Sequence, residues 1–275
     1  KLSYRSRMSG WVPLRQLRVE GAGPRHHQRA EHAVPVLHGG RAVAVRVVEV
    51  GAGGLVGGDQ LAIQVHGAVG TASRIVGQAA EKVYRSTGAD VTIEVRLDAS
   101  EGAWLEWLPQ ETILFESARM RRLTRAEVGV GARLLAGEMI VFGRIAMGES
   151  LTDGLVRDAW EIRRSGRLVW SDALHLEGGL GAVLQASAGL DGACAYASLV
   201  YVGDDASDQL AVARDLLEEL PEDLHCAATC VGDVLIVRWA GHDSLGLRNA
   251  YGEFWSGFRH RVAGYPARMP RLWHM

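Results

Sequence analysis

Apolar and polar residues alternate along several short segments of the chain. This two-residue period places successive side chains on opposite faces of an extended backbone, so it predicts strands with one buried face. Glycine and aspartate residues, which favour turns, separate the segments. A turn followed by a strand recurs near residues 101–103 and 128–132, which predicts stacked strands rather than a βαβ fold. The clearest alternating segments are Val43/Val45/Val47, Leu61/Ile63/Val65, Val91/Ile93/Val95/Leu97 and residues 231–239.

Two segments have the 3.6-residue apolar period of amphipathic helices instead. The first covers residues 207–220, with Ser207 or Asp208 as N-cap and Pro221 as the stop signal. The second covers residues 244–262, with Asp243 or Ser244 as N-cap, and its apolar stripe is rich in aromatic side chains. Such a stripe is more often core than cofactor site, although it could also dock on a partner. The predicted fold class is mainly β, with stacked antiparallel or mixed strands in a solenoid-like or layered architecture and two helices near the C-terminal half.

Residues 19–40 lack a regular period and contain few large apolar side chains, so we expect a poorly ordered segment or a surface loop. The chain then divides into a partly irregular N-terminal segment, residues 1–40, and a single β-rich domain, residues 41–275. Imidazole groups in the first segment could bind a borderline metal such as nickel, but a solvated polar segment explains the same composition. The histidines concerned are His26, His27, His32 and His38.

Composition narrows the class of protein. A chain of 275 residues with 48% hydrophobic content can form a substantial core. Thirty basic and 32 acidic residues give a net charge of −2, and the basic residues are scattered, which argues against a nucleic-acid partner. No apolar run has the length of a membrane span or a signal peptide. Three cysteines are an odd number for a disulfide framework, so we expect a cytoplasmic protein.

The commonest catalytic and nucleotide-binding motifs are absent from the sequence. The glycine-rich residues 51–59 have neither GxGxxG spacing nor a GK[ST] ending, and no HExxH or GxSxG occurs. His225, Cys226 and Cys230 form the best local metal constellation, because thiolate and imidazole could share an ion. CxxxC is not a standard structural zinc spacing, however, and the two cysteines are equally well explained as small core residues.

Acidic residues inside apolar strands are the most informative feature of the chain. They occur in WLPQETILF (residues 107–115) and GEMIVFGRIAMGE (residues 137–149). A buried carboxylate needs a partner, which is either an arginine or a cation that is held or passed on. Spacing identifies no compact catalytic pair among the acidic residues beside turns or apolar neighbours. The arginines nearby are Arg119, Arg121, Arg122, Arg133 and Arg144, and the acidic residues are Asp59, Glu81, Glu106, Glu111, Glu138, Glu149 and Glu177.

Several blocks of the sequence together resemble the urease accessory protein D family, called UreD or UreH. The similarity runs from about residue 41 to the end and keeps the order of every block. The blocks are GGLVGGD (53–59), AAEKVYRS (79–86), LEWLPQETILFESARM (105–120), LLAGEMIVFGRIAMGE (134–149), LPEDLHC (220–226) and PRLWHM (270–275).

The resemblance implies a non-enzymatic chaperone for urease maturation. Members of this family bind apo-urease and, with urease accessory proteins F and G, assist insertion of nickel into its active site. It implies a β-rich stack of strands with two helices, no tightly bound cofactor, and nickel in transit through an internal tunnel. Accessory protein G is the GTPase of the assembly, so no phosphate loop is expected here. A homodimer within the complex is compatible with the resemblance.

The resemblance also indicates which carboxylates would meet nickel. Asp59 in the GGD turn is the best candidate, and Glu138 lies where the family's second block carries an acidic residue. Glu81 occupies a position where many relatives have Ser or Thr, and Glu177 is included for its place after the strand of residues 168–176. Each could equally be a surface or arginine-paired carboxylate. The sequence departs from the family in residues 19–40, where relatives have a strand and a basic K-x-R-x-P segment.

Two alternative functions remain open at this point. The first is a metal-dependent enzyme that uses the acidic set with His175 or His225, which requires at least three of these side chains to meet in one pocket. The second is a purely structural β-scaffold in which every acidic residue is ion-paired.

Overall fold

A computed structural model describes the backbone of residues 16–22, 29–38, 41–49, 53–218 and 224–274, and the side chains of residues 53–218 and 224–273. The helices in these ranges are α1 (Leu180–Gln185), α2 (Leu210–Glu218) and α3 (Ser244–Ala263), with short 3₁₀ turns at Ile145–Met147 and Arg271–His274. The strands are β1 (Gln16–Ala22), β2 (Arg29–His38), β3 (Arg41–Glu49), β4 (Gln60–Gly67), β5 (Ala72–Gly77), β6 (Glu81–Val83), β7 (Val91–Ala99), β8 (Trp104–Leu108), β9 (Thr112–Leu114), β10 (Arg119–Val128), β11 (Arg133–Phe142), β12 (Gly154–Arg164), β13 (Arg167–Gly178), β14 (Ala195–Val202), β15 (His225–Val231) and β16 (Val234–Gly241).

The strands form two sheets, and the chain alternates between them. The outer sheet has the order β1-β4-β7-β10-β12-β13. The central sheet has the order β15-β16-β14-β11-β8-β5-β3-β2, and β9 joins it beside β11 with β6 as its other neighbour. Successive passes pair in parallel, as β3-β5-β8-β11 in the central sheet and β4-β7-β10-β12 in the outer sheet. This two-layer winding confirms the predicted solenoid-like β fold.

Strands β8, β11 and β14 of the central sheet are buried on both faces. The inner face of the sheet packs against the outer sheet in a first core, and its other face packs under α2 and α3 in a second core. Strand β11 shows the division, because Leu134, Ala136 and Ile140 lie in the first core while Leu135 and Met139 lie in the second. A strand buried on both faces reads as a nearly continuous apolar run, which explains why a single glutamate in it stands out.

The two predicted helices are present, with changed bounds. Residues 203–209 form turns, so α2 starts at Leu210 rather than at residue 207, and residues 219–223, including Pro221, lie outside the described residues. The Asp243 side chain accepts a hydrogen bond from the Leu245 backbone N–H at 3.0 Å, which confirms its predicted role as the N-cap of α3. The aromatic stripe of α3 is core, since Tyr251, Phe254, Trp255 and Phe258 are all buried.

Helix α1 was not expected, because six residues are too few to display a helical period. The backbone between residues 16 and 38 also differs from the irregular segment that we expected. It forms β1, which pairs antiparallel with β4, and β2, which pairs antiparallel with β3. Strand pairing satisfies backbone hydrogen bonds even where the apolar period is weak. Residues 23–28 and 39–40 lie outside the described backbone, and so do the side chains of the four N-terminal histidines.

None of the helices in the described ranges is both long and apolar enough to cross a membrane.

Candidate functional site

A cavity of about 300 Å³ lies between the two sheets. Its walls are apolar side chains of both sheets, including Leu61, Ile63, Ile93 and Val95 from the outer sheet and Trp107 from the central sheet. Polar groups occur at its two ends. Glu81 and Lys82 of β6 line it together with Gln110 in the turn after β8, whereas Arg122 of β10 and Glu138 of β11 line it from the buried interior.

Arg122 joins two buried carboxylates at the inner end of the cavity. Its Nη1 lies 2.8 Å from Oε2 of Glu138, and its Nε and Nη2 donate to the two carboxylate oxygens of Asp158 at 2.8 and 2.9 Å. The same Nη1 donates to the Thr112 hydroxyl at 2.9 Å, and the indole N–H of Trp107 donates to Oε1 of Glu138 at 2.9 Å. All three charged side chains are at most 4% exposed. One buried guanidinium therefore pairs with two buried carboxylates.

The protonation of this group follows from its charge balance. Burial raises the pKa of Glu138 to about 7, because Arg122 offsets the loss of hydration only in part and Asp158 adds like charge. Burial alone would lower the pKa of Arg122, but Asp158 and Glu138 outweigh it and raise that pKa. The guanidinium of Arg122 therefore keeps its charge, and we take Glu138 as its weaker partner because Asp158 accepts two of its hydrogen bonds. Burial also raises the pKa of Glu81 to about 7, against a lowering effect of the Lys82 backbone N–H.

The C-terminal part of the chain contacts the cavity wall at Gln110. The Gln110 side chain donates to the Leu272 carbonyl at 3.0 Å and accepts from Arg248 Nη2 at 2.6 Å. The Arg248 guanidinium also lies 4.9 Å above the Trp273 ring, which is buried and stacks on Tyr251 of α3. Two separate sequence blocks, WLPQET and PRLWHM, thus meet at one place.

A second buried carboxylate, Glu106, lies on the other face of the central sheet. It accepts from Arg74 Nε at 2.6 Å, from Arg259 Nη2 at 3.0 Å, and from the indole N–H groups of Trp104 and Trp255 at 2.8 and 3.1 Å. Burial would raise the pKa of Glu106, but the two arginines hold it down at about 2. This residue meets the arginine-paired explanation of a carboxylate in an apolar strand, and it is not part of the cavity wall.

The four carboxylates expected to meet nickel fall into two groups. Glu81 and Glu138 both line the cavity. Asp59 is 1% exposed and is not among the residues that line this cavity; its Oδ2 accepts from the Val56 backbone N–H at 2.8 Å within the GGD turn. Glu177 lies on strand β13, half exposed, where it pairs with Arg119 at 3.3 Å.

Three residues of the site had not been singled out from the sequence, namely Asp158, Thr112 and Gln110. Asp158 had a readable signal, because Val156, Asp158 and Trp160 share the inward face of β12. A charge on an apolar face of period two is as informative there as it is at Glu138. No sequence signal identified Gln110, because its side chain bonds to the carbonyl of Leu272, which is 162 residues later in the chain.

The metal constellation considered at β15 does not come together. Among the residues with described side chains, no group of three or more His, Cys, Asp or Glu is placed to hold a metal ion. Cys226 and Cys230 pack against the second core, and His175 lies 3.7 Å from Glu177. The three-ligand pocket that a metal-dependent enzyme requires is therefore missing from this part of the chain.

Comparison with known proteins gives one consistent result. Residues 17–274 match the family model described as UreD urease accessory protein. The chain is similar to the urease accessory protein UreD of Magnetococcus marinus, at 50% identity over 82% of this chain and 79% of that protein. It is 37% identical to UreD of Azorhizobium caulinodans over 81% of this chain and 79% of the relative. For UreD 1 of Methylobacterium radiotolerans the identity is 41%, over 81% of this chain and 75% of the relative.

Proposed function

Because the chain belongs to the UreD family of urease accessory proteins, with a role in urease maturation, we propose that it is a non-enzymatic chaperone that conducts nickel. In this proposal it acts in the cytoplasm, binds apo-urease together with accessory proteins F and G, and passes nickel through the cavity between its sheets. Nickel is cargo rather than a resident cofactor. We extend the proposal to a homodimer of the chain within that complex.

The observation that carries the proposal is the surplus of carboxylate in an apolar cavity. Glu81 and Glu138 stand at different depths, and the inner cluster has two carboxylates for one guanidinium. Oxygen ligands suit a hard-to-borderline divalent cation, and few ligands at each step bind it weakly enough to let it move on. A cation that enters the cavity would relieve this charge imbalance, in the same way as the proton that Glu138 takes up near pH 7.

A row of polar residues continues from the inner end of the cavity across the central sheet. Glu138 of β11 lies directly opposite Ser198 of β14, which lies opposite Arg238 of β16. Residues so paired have Cβ atoms about 5 Å apart. Arg238 then pairs with Asp172 of β13 at the far side of the molecule. This row supports a path that runs between the sheets from one edge to the other.

The test uses cells that carry a urease operon from which this gene is deleted. Wild type, Glu138→Gln and Glu81→Gln are returned in turn, with Glu177→Gln as the matched control. We expect wild type and the control to restore the nickel content of purified urease. Both cavity variants should still co-purify with urease but load it at least about tenfold more slowly, as loss of a metal-site group commonly does.

Two results would contradict the proposal. If deletion leaves the nickel content of urease unchanged, the chain has no part in nickel delivery. If deletion abolishes loading but Glu138→Gln and Glu81→Gln both restore it fully, the chain is a structural scaffold and the cavity is not the route.

A further inference from the structure

Both carboxylate oxygens of Glu138 are already engaged. Oε2 faces Arg122 Nη1 at 2.8 Å and Oε1 accepts from Trp107 at 2.9 Å. A cavity of about 300 Å³ has room for roughly ten water molecules, so a hydrated cation fits up to this point. A cation bound to Oε2 of Glu138 would lie beside the guanidinium, however, and like-charge repulsion opposes this unless the guanidinium moves away. Arg122 therefore competes with a passing cation for Glu138.

Arg122 can give up Glu138 without losing its own partners. Its Nε and Nη2 remain bonded to both oxygens of Asp158, and its Nη1 has a second acceptor in the Thr112 hydroxyl. A guanidinium bound in this two-pronged way keeps a full counter-charge. Three hydrogen bonds thus survive the change, and the buried charge is never left unpaired, which is the costly outcome.

We propose that Arg122 is a tethered cation that closes the inner end of the cavity, and that nickel must displace it from Glu138 to pass. The proposal rests on the proposed function, since it concerns how nickel passes Glu138. Asp158 holds the guanidinium while the cation occupies Glu138, and the return of Nη1 to Glu138 then helps to expel the cation. Arg122 accordingly lowers the affinity of Glu138 for nickel and speeds the release of the ion.

The Glu106 cluster provides an internal contrast. It has two guanidiniums for one carboxylate, so a further cation would meet net positive charge there. Arg74 is as buried as Arg122, at 6% against 4% exposed, and is likewise paired with a glutamate. Replacing Arg74 removes a buried guanidinium without touching the cavity, which makes Arg74→Gln the control for general loss of stability.

The first test measures Ni²⁺ affinity by equilibrium dialysis on the purified full-length chain, in complex with its partners where it needs them. Arg122→Gln should bind Ni²⁺ at least about tenfold more tightly, because a competing like charge is removed. It should also release the ion to a chelator correspondingly more slowly. Arg74→Gln should match wild type, and Glu138→Gln added to Arg122→Gln should abolish the gain. Unchanged Ni²⁺ affinity in a folded Arg122→Gln protein would contradict the proposal that Arg122 closes the inner end of the cavity.

A second variant works in the opposite direction and keeps the buried charges in place. Thr112→Val removes the acceptor that Nη1 keeps when it leaves Glu138, so the open state would leave Nη1 without this acceptor and opening becomes costlier. Ni²⁺ binding should weaken by about threefold to tenfold, the equivalent of one hydrogen bond. Ni²⁺ binding by Thr112→Val that equals or exceeds that of wild type would contradict the same proposal, even if Arg122→Gln fails to fold. Either failure leaves the proposed function standing as long as Glu138→Gln still blocks nickel loading of urease.

Discussion

At the scale of single residues, the ratio of guanidinium to carboxylate decides what a buried glutamate can do. Glu106 has two arginine partners and two indole donors, so its negative charge is overcompensated and fixed. Glu138 shares one arginine with Asp158, so its charge is undercompensated. The first arrangement ties α3 to the central sheet through Arg259 and Trp255. The second borders the cavity between the two sheets, where a cation or a proton can balance the charge of Glu138.

Glu106→Gln should destabilise the fold strongly. Two guanidiniums would then face each other without a counter-charge, which costs about 3–5 kcal/mol in the free energy of unfolding. The pH dependence has a definite sign. Because the pKa of Glu106 is about 2 in the folded chain against an ordinary 4.5, its stabilisation is complete above pH 4.5 and is lost as the pH falls toward 2.

Urea denaturation of wild type and Glu106→Gln at pH 7 and at pH 3 checks both statements. The difference between the two proteins should be largest at pH 7 and shrink at pH 3. Glu94→Gln, a half-exposed carboxylate on the outer sheet, should stay within about 0.5 kcal/mol of wild type. A Glu106→Gln protein as stable as wild type at pH 7 would show that the arginines find other partners.

Residue-level reasoning from the sequence had clear limits at this site. The period of two shows that Glu138 lies on an inward face, but it does not show that β10 and β12 of another sheet lie opposite. Arg122 is 36 residues from Asp158, and only the winding of the chain brings both against Glu138. The carboxylate of Asp59 has a local contact, since it accepts from the Val56 backbone N–H within the GGD turn. Spacing alone cannot separate these two uses of an acidic residue.

At the scale of elements, the fit of α3 onto the central sheet depends on a glycine in the GEMIVF block. A Cβ added to Gly137 would lie 2.1 Å from the Tyr251 hydroxyl oxygen and 2.7 Å from the Ser198 carbonyl oxygen. The Tyr251 side chain therefore occupies the space that any other residue at position 137 would need. This requirement explains a glycine in the middle of a strand, where glycine is otherwise unfavourable.

Gly137→Ala should lower the free energy of unfolding by about 1–3 kcal/mol through overpacking. Adding Tyr251→Phe removes the oxygen at 2.1 Å, and the next atom of that ring stands at 3.2 Å. The double variant should thus regain part of the loss, but not all of it, because the Ser198 carbonyl remains. Thermal unfolding of the four proteins in this cycle measures the coupling. Strict additivity of the two changes would contradict the steric explanation.

Element types followed from the sequence where a period ran long enough. The 20 residues of α3 display their stripe plainly, and its aspartate cap is readable. The six residues of α1 are too few to show a helical period. Strands β1 and β2 are defined by their pairing with β4 and β3 rather than by an apolar period of their own. The alternation between two sheets was visible only as a recurring turn and strand, because parallel stacking is a relation between distant segments.

At the scale of the whole molecule, the winding places the central sheet between two cores and leaves the far face of the outer sheet in water. Strand β11 is buried at nearly every position, whereas β7 alternates between buried and partly or fully exposed residues. Edge strand β13 has one neighbouring strand and mainly exposed or half-buried residues. The proposed path between the sheets thus has one wall that is buried almost throughout and one wall that ends in an edge strand, where Asp172 meets Arg238.

Hydrogen exchange should reveal this gradient directly. Amides of β11 and β14 should exchange slowest, near the rate set by global unfolding, because opening either strand disrupts both cores. Amides of β10, buried on one face, should be intermediate, and those of β13 should exchange fastest, since β13 has one neighbouring strand and no fully buried residue. Exchange followed by mass spectrometry on peptides from the four strands supplies the comparison, with β10 as the internal reference. Equal protection in β13 and β11 would mean that the molecule opens only as a whole, and the far edge could then not open separately to let a cation leave.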